Sequence, residues 1–325
     1  MDSKEALEQE ALSVSSSPHL RTHVKTPRLM FDVVIALLPA TATAFYFFGM
    51  QVGAILASAI LGALVTEGLL NRLRGKSCTL WDGSALVTGL LIALILPLKV
   101  PLWLPFVGSF FAIAVGKALF GGLGMNLFNP ALVGRAFLTA SFPIYLTVYS
   151  WPERAGAWMG ESFDAVSTAT PLELLRFEGV QTPYFEMFIG RIGGSIGEVS
   201  ALALLIGAAY LFVRGVIDWR IPLSYIGTVM ILAFVLGQDP LFHLLAGGLI
   251  LGAFFMASDY VTSPITRKGR LIFGLGCGLL TIMIRSFGGF PEGVAYSILL
   301  MNAAVPLIER YTIPRPFGAE VKRSA

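Results

Sequence analysis

Charge is scarce in this chain. Only 13% of its 325 residues are Asp, Glu, Lys or Arg, about half the roughly 25% of a soluble domain. With 55% hydrophobic residues and a mean hydropathy of +0.76, the polar surface cannot cover a water-soluble globule. Lipid must be the solvent for much of the chain. The net charge of +3 is small and spread along the sequence, which argues against nucleic acid as a partner. Cysteine is scarce too. Cys78 and Cys277 lack the clustered spacing of a zinc site, and two thiolates cannot supply all four ligands of an iron–sulfur cluster. They read as apolar fillers, or as a share of one cluster held jointly with a partner protein, and no metal site is expected. The first twenty residues, MDSKEALEQEALSVSSSPHL, have no apolar core after a basic start, so they do not form a cleavable signal peptide.

What the chain does have is long apolar runs. A helix crossing a bilayer needs roughly 20 mainly apolar residues. Ten runs come close: 31–50, 52–70, 84–98, 103–120, 130–149, 198–214, 221–237, 241–257, 270–285 and 293–309. The connecting segments, taken alternately, sort the basic residues unevenly. One set holds the N-terminal arm, Arg72, Arg74, Lys76, Lys117, Arg135, Arg214, Arg220, Arg267, Lys268, Arg270 and the C-terminal tail. The other holds only Lys99, Arg154, Arg176, Arg191 and Arg285. The positive-inside rule then puts both termini in the cytoplasm of a bacterial cell and segment 150–197 outside its inner membrane. The organisation read from this is a cytoplasmic arm over 1–28, five helices over 29–149, an extracytoplasmic loop over 150–197, five helices over 198–310 and a cytoplasmic tail over 311–325. The fold class is all-α, a polytopic membrane protein. The halves echo each other weakly, as in 82-DGSALVTGLL-91 and 239-DPLFHLLAGGLILG-252. Five helices per half would make them inverted repeats, with a site expected at their interface.

The long outer segment contains 164-DAVSTATPLELL-175. Thr170-Pro171-Leu172-Glu173 spells a capping box with proline at the first helical position. That explains the threonine but not why Asp164, Ser167 and Thr168 precede it. The pattern Asp164-x-x-Ser167-Thr168-Ala169-Thr170 resembles the flavinylation sequence D-x-x-[S/T]-[small]-A-T, in which a transferase esterifies the last threonine with FMN outside the cytoplasm. Thr168 is bulkier than the usual glycine and offers a rival hydroxyl. The likeness extends to 84-SALVTGLLIALILPLKVPLW-103, 120-FGGLGMNLFNPALVGRAFL-138, 194-GSIGEVSALALLIGAA-209 and 254-FFMASDYV-261. Over roughly residues 25–312 the chain resembles the NqrB/RnfD family, which comprises RnfD of the Rnf electron-transport complex and NqrB of the sodium-pumping NADH:quinone reductase.

The resemblance implies a membrane flavoprotein, an electron-relay subunit of an ion-translocating ferredoxin:NAD⁺ oxidoreductase that couples electron transfer to Na⁺ or H⁺ transport. It has no catalytic residues of its own, since the hydride and ferredoxin chemistry belongs to other subunits. Its cofactor would be FMN on Thr170, with Asp164, Ser167 and Ala169 read by the flavin transferase during maturation. Its partners would be the other Rnf subunits, both flavin and iron–sulfur. Asn126 and Asn129 lie three apart on one helical face or on the turn feeding it. In hydrocarbon two unsatisfied amides cost several kcal/mol, so they face protein, water or ligand. By resemblance they and Thr88 could line a noncovalent riboflavin. Of the acids near membrane depth (Glu67, Asp82, Glu198, Asp239, Asp259 and Glu292), the resemblance singles out Asp259 as an ion-pathway candidate, and a helix-end cap is its plainer role. His243 reads as structural. Arg135 and Arg285 read as partners of acids or backbone carbonyls. The alternative function is a solute channel or transporter of urea- or ammonium-channel-like architecture, in which 150–197 is merely an extracellular cap.

Overall fold

The computed structural model describes residues 25–76, 79–150, 167–289 and 292–314. Cys78, Asp164 and most of the outer segment before Ser167 lie outside them. The described chain is mainly helical. Helices Thr26–Phe48, Gln51–Leu73, Ser84–Ile95, Trp103–Ala118 and Pro130–Ser141 precede the outer segment. Helices Ala201–Val213, Arg220–Val235, Pro240–Leu245, Arg267–Phe287 and Val294–Thr312 follow it. Three are long and apolar enough to cross a membrane, namely 26–48, 51–73 and 267–287, and 84–95, 103–118, 201–213 and 220–235 are shorter apolar helices.

The helix starts follow local chemistry. Asn129 and Asp239 each stand one residue before a proline and accept hydrogen bonds from the first free N–H groups of the next turn. Ser200 and Thr266 cap their helices in the same way. Such caps contribute about 1 kcal/mol each.

Three of the apolar runs are not continuous helices. The run 84–98 is helical only to Ile95, because Pro97 drives Leu96 into extended backbone. The carbonyls freed there are taken up from outside the helix: Gly197 N–H donates to Leu94 O at 2.7 Å and Ile196 N–H to Leu96 O at 3.0 Å. The run 241–257 breaks at Ala246–Gly248, where Gly247 and Gly248 adopt φ of +62° and +66°. Only glycine enters that region without strain. The chain resumes as Leu249–Leu251 and ends in a wider turn, Gly252–Met256. The run 130–149 stops at Ser141, and Pro143 opens a one-turn helix, Pro143–Leu146. Hydropathy counts apolar side chains and does not register such breaks.

Helix 26–48 packs along 201–213. Gly207 lets them approach, since a Cβ there would collide with the Ala36 carbonyl oxygen. Helix 51–73 packs on 84–95 and 103–111, and 220–235 packs along 267–287. One buried core runs through both halves of the chain. The opposite faces are apolar and bare. Phe31, Ile35 and Leu38 on the first helix, and Leu271, Leu275 and Leu279 on helix 267–287, are all exposed. An uncovered apolar surface of this extent suits hydrocarbon, not water.

Candidate functional site

Thr170 sits at the start of a short helical segment formed by Pro171–Glu173 and the wider turn Leu174–Glu178. The capping box expected from the sequence is present. Glu173 N–H donates to Thr170 Oγ1 at 3.3 Å, and Thr170 N–H donates to the Glu173 carboxylate at 2.9 Å. Just upstream, Ser167–Thr168 pairs antiparallel with Tyr149–Ser150. Thr170 itself is 2% exposed. Its hydroxyl can be esterified only if this first turn opens, and the same Glu173 N–H could then bind a phosphoryl oxygen in place of the hydroxyl. Burial raises the Glu173 carboxyl above its usual range, against the Thr170 N–H, which lowers it.

The segment is anchored through Leu172, which is buried. A Cβ on Gly247 would strike both Leu172 and the Arg285 guanidinium, so the threonine segment rests directly on the helix break. Arg285 fills that break. Its two terminal nitrogens donate to His243 O at 2.7 Å, Ala246 O at 2.8 Å and Gly247 O at 3.2 Å.

Beside the threonine segment opens a cavity with about 600 Å³ of empty space including its mouth, lined by Arg135, Tyr149, Glu173, Glu292 and Tyr296. Arg135 is its hub. It donates to Ile95 O at 2.8 Å, to Glu198 at 3.2 Å and to Glu292 at 2.6 Å. Tyr149 donates to the other Glu292 oxygen at 3.1 Å. Arg135 thus pairs with acids and a carbonyl, and Arg285 with carbonyls, the roles read for them from the sequence.

A second cavity, with about 810 Å³ of empty space including its mouth, gathers four residues singled out from the sequence: Thr88, Asn126, Asn129 and Asp259. Thr88 donates to Ser84 O at 2.9 Å within its own helix. Lys117 also faces the cavity, held between both Glu67 oxygens at 2.8 Å and Ser84 Oγ at 2.5 Å. The two asparagines differ. Asn129 is already engaged: its oxygen caps helix 130–141, its amide donates to Met256 O at 3.2 Å, and its backbone N–H donates to Asn302 Oδ1 at 3.3 Å. Asn302, wholly buried, continues to Thr262 O at 2.9 Å. Asn129 and Asn302 thereby tie the two halves of the chain together. Asn126 donates to Phe128 O at 3.2 Å, but its buried oxygen has no hydrogen-bond partner among the described residues. Such an acceptor suits a ligand that carries hydroxyls or an imide N–H, as riboflavin does. Asp259 accepts from Thr262 Oγ1 at 3.1 Å.

The sequence pointed to the threonine and to this second cavity, but not to the Arg135 cluster. The partners of Arg135 lie 63 and 157 residues away, a separation that no local pattern spans. The only signal available was the presence of isolated charges in apolar runs.

A model of the NQR2, RnfD, RnfE family matches residues 13–318. The chain belongs to this family. Among curated relatives, it is 49% identical to the D subunit of the Na(+)-translocating ferredoxin:NAD(+) oxidoreductase complex of Acetobacterium woodii over 319 residues, which cover 97% of this chain and 98% of that protein. It is 44% identical to the D subunit of the proton-translocating ferredoxin:NAD(+) oxidoreductase complex of Clostridium ljungdahlii, over 96% and 98% of the two chains. It is 42% identical to the D subunit of the ion-translocating oxidoreductase complex of Stutzerimonas stutzeri, over 91% and 93%. Family membership accounts for the apolar chain, and the relatives are by name members of multi-subunit, redox-driven translocases.

Proposed function

We propose that this chain is the RnfD subunit of an ion-translocating ferredoxin:NAD⁺ oxidoreductase, that it bears FMN as a phosphoester on Thr170, and that it relays electrons at the outer membrane face while the complex moves Na⁺ or H⁺. The observation that carries the reading is Thr170 itself. It ends the sequence Asp164-x-x-Ser167-Thr168-Ala169-Thr170 in a chain that matches the D subunits of two such complexes along nearly their whole length. The charge distribution that puts both termini inside and 150–197 outside is consistent with it. The reading includes ten helices, five before the outer segment and five after, as two inverted repeats; the hydrogen bond that joins Asn129 to Asn302 is consistent with halves that meet there. The solute-channel reading has no such support.

Flavin held here would supply one- and two-electron chemistry. The protein's own residues would do the rest. Leu172, seated on Gly247, fixes the attachment point to the helix break. The Glu173 N–H is a donor for a phosphoryl oxygen. Tyr149, Tyr296 and Leu146 give the adjoining cavity an amphipathic wall. Asn126 and Thr88 would bind riboflavin in the second cavity, with Asn129 setting the backbone on which Asn126 stands. Asp259 lies in the same cavity and is the candidate for cation entry there. The other Rnf subunits would deliver and remove electrons, and the flavin transferase would act once, during maturation.

The test is in-gel fluorescence of the denatured protein isolated from a host that makes the transferase. The wild-type band should fluoresce under ultraviolet light and the Thr170→Ala band should be dark. A dark wild-type band would reject the covalent cofactor.

A further inference from the structure

Thr170 is poorly placed for an enzyme to modify. It is almost wholly buried, and its hydroxyl already accepts the Glu173 N–H inside the capping box. Pro171 and Leu172, the two residues that follow, are buried as well. On the other side, Ser167 and Thr168 are paired with Ser150 and Tyr149 in a two-stranded sheet. A transferase must bring an activated phosphorus against the hydroxyl oxygen and hold the residues on either side of it. The docked segment presents neither the oxygen nor those neighbours.

The same segment is built to leave as a unit. Several of its hydrogen bonds are internal. Thr170 and Glu173 exchange two, Leu174 N–H donates to Thr170 O at 2.9 Å, and Val180 N–H donates to Leu174 O at 3.2 Å. Among the described residues, its hydrogen bonds to the rest of the chain are the strand pairing and one long bond, from Arg176 to Arg285 O at 3.4 Å. The main apolar ties are Leu172, seated at Gly247, and Leu175, packed on the core. Residues 176–181 are exposed, and Gly179 among them adopts a φ of +69° in open space. Thr182, just beyond, is buried again. A segment with few outside ties and an exposed linker behind it opens at a cost well below that of global unfolding.

We infer that the flavin transferase acts only on an undocked form of residues 167–178, so the packed fold is an inhibited substrate and attachment precedes docking. The inference rests on the reading of Thr170 as the FMN site, and adds the conformation in which the partner enzyme meets it. In that step Thr170 Oγ1 bonds to the FMN phosphorus of a flavin dinucleotide. The bond from that phosphorus to the bridging pyrophosphate oxygen breaks, a nucleoside monophosphate leaves, and the hydroxyl proton passes to a base. Nothing is oxidised or reduced. Redocking then returns Leu172 to Gly247, and the cavity lined by Tyr149 and Glu173 adjoins the attachment point.

The experiment uses the full-length chain purified in detergent from a host without the transferase. Purified transferase and FAD are added, and covalent flavin is followed over time by in-gel fluorescence. Two variants move docking in opposite directions. Gly247→Ala lies far outside the recognition sequence and drives a methyl group into Leu172. The open fraction rises, and labelling should be about tenfold faster or more. Tyr149→Cys with Thr168→Cys puts two thiols at directly paired positions, within disulfide reach. Oxidised, this protein should label about tenfold more slowly or worse than when reduced, although its residues are identical in both forms. The thiol pair decides the matter if Gly247→Ala does not fold. Equal rates in the native chain, in Gly247→Ala and in both redox forms would overturn the inference and leave Thr170 as the attachment site. No covalent flavin on any of these proteins would reject the flavin reading, and this inference with it.

Discussion

Replacing Arg285 with methionine tests whether the helix break is held together by one side chain. The guanidinium donates to three carbonyls, of His243, Ala246 and Gly247, and is itself buried. Methionine fills similar volume, donates nothing and carries no charge. Each buried carbonyl left without a donor costs about 1–3 kcal/mol, and two of the three would find no substitute in a glycine turn. Removing the charge also relieves the desolvation of Arg285 but leaves Glu198 and Glu292 with Arg135 as their nearest cation. The net loss should be about 3–5 kcal/mol, the range seen when one partner of a buried ionic set is removed. Arg285→Lys should recover only part of it, because a single ammonium cannot span three carbonyls. The assay is thermal or chemical unfolding in one detergent, with hydrogen exchange read at Leu249 and at Glu173. Because Leu172 rests on Gly247, exchange at Glu173 should accelerate together with exchange at Leu249. A loss below about 1 kcal/mol, with exchange at both sites unchanged, would refute the reasoning.

Three further outcomes follow from the same geometry. Gly248→Ala should destabilise by about 1–3 kcal/mol through its φ of +66° alone, more if Glu198 cannot move aside, as a melting curve would record. Asn126→Leu removes the unpartnered acceptor of the larger cavity, so noncovalent flavin released by denaturation of the purified protein should fall while covalent flavin on Thr170 persists. The pH response of the loop at Asp218 has a defined sign. Burial raises its carboxyl, but the Arg220 N–H and the Arg270 and Arg220 guanidiniums outweigh that and hold it below the usual range. The stability it contributes is therefore present above its unfolded value of about 3.9 and lost as pH falls through the lower folded value. Asp218→Asn should flatten the acid limb of the stability curve and lower stability at neutral pH, the two proteins converging as pH falls through the folded value.

How far the sequence carried the structure depends on the range of the interaction. Turn-scale chemistry was legible. The capping box of Thr170 and Glu173 is written within four residues and folds as written. The long helices 26–48, 51–73 and 267–287 were legible as well, because apolar length alone specifies them in lipid. The breaks at Leu96 and at Gly247–Gly248 were present as proline and glycine but were masked by unbroken hydropathy. What holds those breaks was not legible. The Leu94 and Leu96 carbonyls depend on Ile196 and Gly197, Arg285 reaches back some forty residues, and Arg135 joins Glu198 to Glu292. Such contacts are set by how the two halves meet. The gathering of Thr88, Asn126, Asn129 and Asp259 around one cavity also lay beyond spacing: Asn126 and Asn129 stood out as amides in an apolar chain, whereas Thr88 and Asp259 were singled out by the family resemblance. The distinct behaviour of the two asparagines, one engaged as a cap and one with a bare acceptor, emerged only from the packed structure.

The central claim is that Thr170 is a chemical attachment point and not only a cap. It is tested most directly by digesting the protein, purified from its native membrane, with trypsin and weighing the peptide that begins after Arg154 and ends at Arg176. The expected result is the mass of the peptide plus FMN less one water, with fragmentation placing the addition on Thr170. An unmodified peptide from a cell that makes the transferase would contradict it, and the threonine would then be the helix cap and nothing more.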